Sequence, residues 1–228
     1  MNRPSETPAA PPEPDGVLQV PDVHQRYFRT SVALSLAQVK NVIPPLDIIA
    51  VLNADRVKFV LVGAHGIAGW MRKPRATQDV DLVVMNQHVK KATRALLKAF
   101  PQLDAEDEEV VVRLRDHASG EVLIDLIKQR ELYREVFKHT QTVTEAGQQY
   151  RIPSLELALA MKYAAMISPN RPIEKVHQDA HDFIVMVKGN PEHDRDTLEA
   201  LGEAVYSGGG EELLEMIRKA AAGERLDL

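Results

Sequence analysis

The segment Val62 to Val84, VGAHGIAGWMRKPRATQDVDLVV, constrains this chain more than any other, because it sets a glycine and two aspartates between short apolar runs. Val57 to Val62 is apolar and rich in β-formers, which predicts a buried strand ending at Gly63, where the backbone can turn tightly. Ala64 to Met71 predicts a short helix, whose N-terminal N–H groups suit a phosphate anion. Val80 to Val84 predicts a second strand. Asp79 and Asp81 sit two apart at its start, so the strand period sends both side chains to one face. Adjacent carboxylates repel and are costly unless exposed or neutralised by a cation. Magnesium shared between carboxylates and substrate phosphates is the common solution. Taken alone, the D-x-D spacing is weak and more often marks a solvated strand edge.

Asp125 strengthens the metal reading. It lies within VLIDLI, an apolar strand in which an unpaired carboxylate carries a severe desolvation cost. A cation shared with Asp79 and Asp81 would supply a partner; a salt bridge to Arg75 or Arg113 is the alternative. The sequence contains no cysteine, so a metal must be held by carboxylates, histidines or backbone oxygens, which favours magnesium or manganese.

Around this segment the pattern predicts an α+β architecture. Residues 1–22, rich in Pro, Glu, Ala and Ser, predict a disordered tail. Helical patterns follow at Val32 to Ile43 and Leu46 to Asn53, separated by Pro44 and Pro45. Gln87 to Phe100 predicts a helix, Asp104 to Glu109 an exposed acidic loop, and Val110 to Leu114 with Glu121 to Ile127 two strands joined by DHASG. A short strand at Gln149 to Ile152 closes an α/β domain over 23–152. A helical domain over 153–228 begins with Pro153-Ser154 as an N-terminal signal and continues through helices at Glu174 to Lys188, Asp194 to Tyr206 and Glu211 to Ala221. A flexible Ser-Gly-Gly-Gly at 207–210 separates the last two. No apolar stretch approaches the ~20 residues that cross a bilayer, and the N-terminus lacks the apolar centre of a signal peptide, so a cytoplasmic protein without a membrane partner is expected. The formal charge of -5 argues against a sequence-blind grip on long nucleic acid, though a local basic patch can still hold a phosphate-bearing substrate.

The order Gly63-Ala64, Arg75-x-Thr77-x-Asp79-Val80-Asp81-Leu82, then Asp125 in a later strand, resembles the DNA polymerase-β-type nucleotidyltransferase superfamily. Within it the chain looks most like the branch holding the type IV toxin–antitoxin (AbiEii-like) enzymes and their relatives. The likeness spans about residues 46–188 and includes PSLELALAMK and RPIEKVHQDAHDF. It implies a nucleotidyltransferase-type mixed β-sheet flanked by helices, followed by a C-terminal helical domain. It also implies metal-dependent transfer of a nucleoside monophosphate from a nucleoside triphosphate to a hydroxyl of RNA, protein or a small molecule. A toxin-like role would bring an antitoxin partner. Asp79 and Asp81 would hold the metal that grips the triphosphate, and with Asp125 a second metal that activates the acceptor hydroxyl. Gly63, Ala64, Arg75 and Thr77 would lie at the nucleotide, with a purely structural role equally open for Thr77. Lys162, a lone cation in an apolar helix, would bind the triphosphate, with Arg171 and Lys175 as further contacts. Asp179 and Asp182 suit pairing with such cations.

Two departures stand out: Ala64 where the superfamily commonly has Gly or Ser, and a slightly longer gap from Gly63 to Asp79. Ala64 leaves only backbone contacts for phosphate, so a noncatalytic nucleotide-binding or partner-binding protein on the same fold stays open. A rival reading comes from His177 and His181-Asp182 in HQDAHD, one helical turn apart as in HD-type phosphohydrolases, although the remaining ligands of that set have no counterpart. His65 and His88 read as polar loop or helix-surface residues, and Met161, Tyr163 and Met166 as core.

Overall fold

The structure is a computed structural model that describes residues 20–226. The elements run α1 (Val20–Gln38), α2 (Pro45–Ala54), β1 (Phe59–Leu61), α3 (Gly63–Gly66), α4 (Ala68–Met71), β2 (Val80–Val84), α5 (Val89–Ala99), β3 (Leu103–Asp107), β4 (Val111–Asp116) and β5 (Val122–Lys128). There follow the hairpin β6 (Thr140–Glu145) and β7 (Gln148–Pro153), then α6 (Leu155–Met166), α7 (Ile173–Gly189), α8 (Arg195–Val205) and α9 (Gly209–Ala222).

The main sheet is mixed, in the order β1-β2-β5-β4-β3. Only β2 and β5 run parallel; every other neighbouring pair is antiparallel. Strand alternation divides two buried clusters. Phe59, Leu61, Val80, Leu82 and Val84 join α1, α2 and α5 on one face, whereas Val60, Val62 and Val83 join α6, α7, α8 and α9 on the other. Each buried Val, Leu or Phe contributes about 1.5–3 kcal/mol, so register is firmly set. Asp81 and Asp125 stand opposite each other in the parallel register, on the face that α6 covers.

Several local expectations are corrected. α1 begins at Val20, within the expected tail and before the expected Val32; residues 1–19 of that tail lie outside those described. Its inward side carries His24, Tyr27, Phe28, Ser31 and Ser35, a helical spacing whose polar members mask the apolar stripe. The expected acidic loop is the edge strand β3, stabilised by cross-strand pairs such as Glu106–Arg115 at 2.9 Å. Strand β6 lies in a stretch assigned no element from sequence. The helix expected over 64–71 is interrupted at Ile67 to give α3 and α4. Gly209 and Gly210 form the first turn of α9 and are buried, where the sequence suggested a flexible linker. A Cβ on Gly209 would meet the Gly202 carbonyl oxygen at 2.5 Å, so α8 and α9 meet through bare backbone. Among the described residues no helix is long and apolar enough to cross a membrane.

Candidate active site

Two strand residues, Asp81 on β2 and Asp125 on β5, and Asp79 on the loop just before β2 converge at the carboxyl side of the β1 turn. Val62 is extended and Gly63 turns with φ +59°, opening α3 directly beside β2. A Cβ at Gly63 would lie 1.8 Å from Asp81 Oδ2, and one at Gly66 would lie 2.3 Å from the Leu61 carbonyl oxygen. The glycines therefore allow the turn to close onto the carboxylate. Asp79, Asp81 and Asp125 each offer an oxygen, and the three lie within 4.8 Å of one another. Burial, then Asp79 and Asp125, push Asp81 up to about 7 against the opposing pull of Lys162 and Arg171. Burial and Asp79 likewise raise Asp125 to about 6, opposed by Arg113 and Arg115.

Asp125 Oδ1 is buried without a hydrogen bond. Arg113 Nε lies 3.9 Å away, too far to donate, and Arg113 also pairs with Glu108. The salt-bridge alternative is present only as this long contact. Convergent hard oxygens, one of them buried without a donor, fit a divalent cation of the magnesium or manganese type.

The loop carrying Asp79 is held from behind. Thr77 Oγ1 donates to Asp79 Oδ1 at 2.7 Å. The Thr77 N–H donates to Ser35 Oγ at 3.0 Å, and Ser31 Oγ donates to the Arg75 carbonyl at 2.7 Å. Both serines are buried on α1. Thr77 thus supports the loop, one of the two roles its position allows, while only a four-residue spacing on a helix marks Ser31 and Ser35 in the sequence.

A cleft of about 290 Å³ separates the carboxylates from α6 and α7 and is lined by Gly63, Ala64, Arg75, Thr77, Lys162, Arg171 and Lys175, among others. All ten sequence-selected site residues thus border one space. Lys162 is not free there. Its Nζ donates to Asp179 Oδ1 at 2.8 Å and to Asp182 Oδ2 at 2.6 Å. Arg171 donates through Nε and Nη2 to Asp179 Oδ2 at 2.9 and 2.7 Å. Arg75 Nη2 lies 3.5 Å from Asp182 Oδ2. Lys175 is exposed at the rim. Val62, Ile67, Ile127, Tyr133, Ala158 and Met161 give the cleft an apolar wall. Met161 is therefore a lining residue, whereas Tyr163 and Met166 are buried in the core as expected. Tyr133, unread in the sequence, sits in a single 3-10 turn; burial first, then Asp81, raise its phenol to about 12, so it stays neutral.

Of the histidines, His65 departs from the expected surface placement. His65 is buried on α3 with both ring nitrogens unpaired, and burial lowers it to about 4. His88 Nδ1 accepts the Lys58 N–H at 2.8 Å, a structural role. His177 and His181 are exposed on α7 while Asp182 is buried, so they do not form a metal set with it. Among the described residues, Asp79, Asp81 and Asp125 form the one group of three suitable ligands.

No protein-family model and no curated protein matches this sequence. Among solved structures the chain is similar to an antigenic nucleotidyltransferase-like protein from Paracoccidioides brasiliensis, at 21% identity and TM-score 0.45, over 82% of this chain and 91% of that one. It is also similar to the antibiotic-resistance factor ANT(2'')-Ia, at 14% identity and TM-score 0.47, over 69% and 86%. A third, lincomycin-bound lincosamide antibiotic adenylyltransferase LnuA, aligns at 14% identity and TM-score 0.45, over 63% and 98%.

Proposed function

We propose that the chain transfers a nucleoside monophosphate from a nucleoside triphosphate to an acceptor hydroxyl. The observation that carries this reading is the convergence of Asp79, Asp81 and Asp125 across a cleft from Lys162 and Arg171. Acidic and basic walls facing one another suit a polyphosphate with its cations between them. A divalent cation bound by the carboxylates would offset charge on the triphosphate and lower the pKa of the acceptor hydroxyl.

The residues then divide the work. Lys162, Arg171 and Arg75 bind phosphate oxygens, and the Gly63 and Ala64 amides at the start of α3 add neutral donors. Ala64 contributes no hydroxyl, so backbone contacts serve on that side. The apolar wall with Tyr133 takes the nucleoside and excludes water from the reacting phosphate. Asp125 orients the acceptor and takes its proton as the oxygen attacks the α-phosphorus. The α–β phosphoanhydride bond breaks, and pyrophosphate leaves with its charge against the basic wall. The acceptor is a hydroxyl of RNA, protein or a small molecule.

The test is pyrophosphate release from each labelled nucleoside triphosphate, with magnesium or manganese and with candidate acceptors. Wild-type release that Asp81→Ala reduces at least about a hundredfold supports transfer; release unchanged by that substitution sinks it. Metal-independent triphosphate binding without pyrophosphate release points instead to a noncatalytic nucleotide-binding module.

A further inference from the structure

We infer that Asp179 and Asp182 are positioning residues that aim Lys162, Arg171 and Arg75 at a polyphosphate in the cleft. The inference deepens the nucleotidyl-transfer reading and rests on it for the class of ligand.

Asp179 and Asp182 lie three apart on α7, so both face inward, and their side chains are 4% and 0% exposed. A carboxylate that far from water persists only with charged partners. Asp182 is fully engaged, accepting from Lys162 at one oxygen and from Gln178 Nε2 at 2.8 Å on the other, with Arg75 3.5 Å away. Asp179 accepts from Lys162 at one oxygen and twice from Arg171 at the other. Three cations thus share two buried carboxylates, leaving an excess positive charge on the cleft wall opposite three aspartates.

The cations keep donors in reserve. An ammonium has three N–H groups, and Lys162 spends two on the aspartates; a guanidinium has five, and Arg171 spends two on Asp179. Both side chains border the cleft, so their remaining donors have a polyphosphate within reach without first breaking the network. Asp182 adds a mechanical link. It joins α6 through Lys162 to the loop 72–79 through Arg75, and that loop carries Thr77 and Asp79. The phosphate-binding wall and the metal-binding corner are therefore set relative to each other by one buried carboxylate.

A carboxylate that only neutralises its neighbours and one that aims them predict opposite signs. Replacing Asp by Asn removes negative charge near a polyanion, so mere neutralisation predicts tighter binding. Loss of aim predicts weaker binding despite the gained positive charge. The experiment is calorimetric titration of the full chain with magnesium tripolyphosphate, which needs no turnover. Asp179→Asn and Asp182→Asn, checked for a native melting transition, are expected to raise Kd about tenfold, the size of one misplaced charge-assisted hydrogen bond. Should either fail to fold, Asp179→Glu decides, because it keeps the charge and moves it by one methylene; its Kd is expected to rise at least about threefold. Unchanged or tighter binding in the folded variants overturns the inference, as does a wild-type protein that does not bind tripolyphosphate. Wild-type binding without pyrophosphate release from nucleoside triphosphates leaves it standing and overturns the transfer reading instead.

Discussion

Gly63 and Asp81 are packed so closely that a Cβ on the glycine would lie 1.8 Å from the Asp81 carboxylate oxygen. Space and backbone act together here, because Gly63 also holds φ +59°. Gly63→Ala must either displace Asp81 or unwind the start of α3. It is expected to cost about 1–3 kcal/mol of stability and to cut pyrophosphate release at least as severely as it weakens metal binding. Thermal melting and turnover measured on one preparation check this; a variant with native activity would show that the turn and the carboxylate are not coupled.

The carboxylates set a pH dependence for cation binding. Asp81 is raised to about 7 and Asp125 to about 6, burial being the largest cause of each. A raised carboxyl pKa in the folded state stabilises the metal-free fold at low pH, and this contribution is lost as pH rises through about 6 and then 7. Bound cation favours the ionised forms, so its apparent affinity rises over the same window, with protons released on binding. Calorimetry at pH 5.5 and 8 in buffers of different ionisation enthalpy reads both effects. Proton uptake, or affinity that falls with pH, contradicts this account.

Buried histidines act with the opposite sign. His24 is lowered to about 3 and His65 to about 4, chiefly by burial. Both rings lie against Phe28, and their nitrogens have no hydrogen-bond partner. A depressed histidine pKa gives stability that is present above about 6.5 and lost as pH falls towards 4 and 3. His24→Phe keeps the ring contact and removes the titration, so it is expected to move the midpoint of acid unfolding to lower pH. Circular dichroism between pH 7 and 2.5 measures the shift.

The acidic centre was legible in the sequence because strand alternation is a short-range rule. Asp81 and Asp125 needed only their apolar neighbours to be placed on one face, Asp79 sits one residue before β2, and Ser154 as the N-cap of α6 needed only its own turn. Lys162 was conspicuous as a lone cation, but its two aspartate partners lie a helix away, and spacing alone does not show which cation they choose. Strand β3 was hidden because its exposed acidic residues gain their strand character from arginines on β4. α1 was the largest omission: its inward face mixes aromatic, imidazole and hydroxyl groups, and their value appears only against Gly69, Arg75 and Thr77. Tyr133 had no periodic context at all, sitting in a 3-10 turn.

That hidden helix supplies the last prediction. Ser35 Oγ accepts the Thr77 N–H at 3.0 Å and donates to the Ser31 carbonyl at 3.0 Å, and Thr77 in turn holds Asp79. Ser35→Ala leaves the Thr77 N–H without its acceptor in a half-buried loop, a loss of about 1–3 kcal/mol if water does not replace it. Because the affected loop carries Asp79 and not the apolar wall, cation affinity and turnover are expected to fall while affinity for the nucleoside alone stays within about twofold. Ser35→Thr retains the hydroxyl and is expected to recover most of the lost cation affinity. Equal losses in metal and nucleoside binding would indicate general loosening of α1; selective loss of the metal, rescued by threonine, would establish that α1 positions the acidic centre from behind.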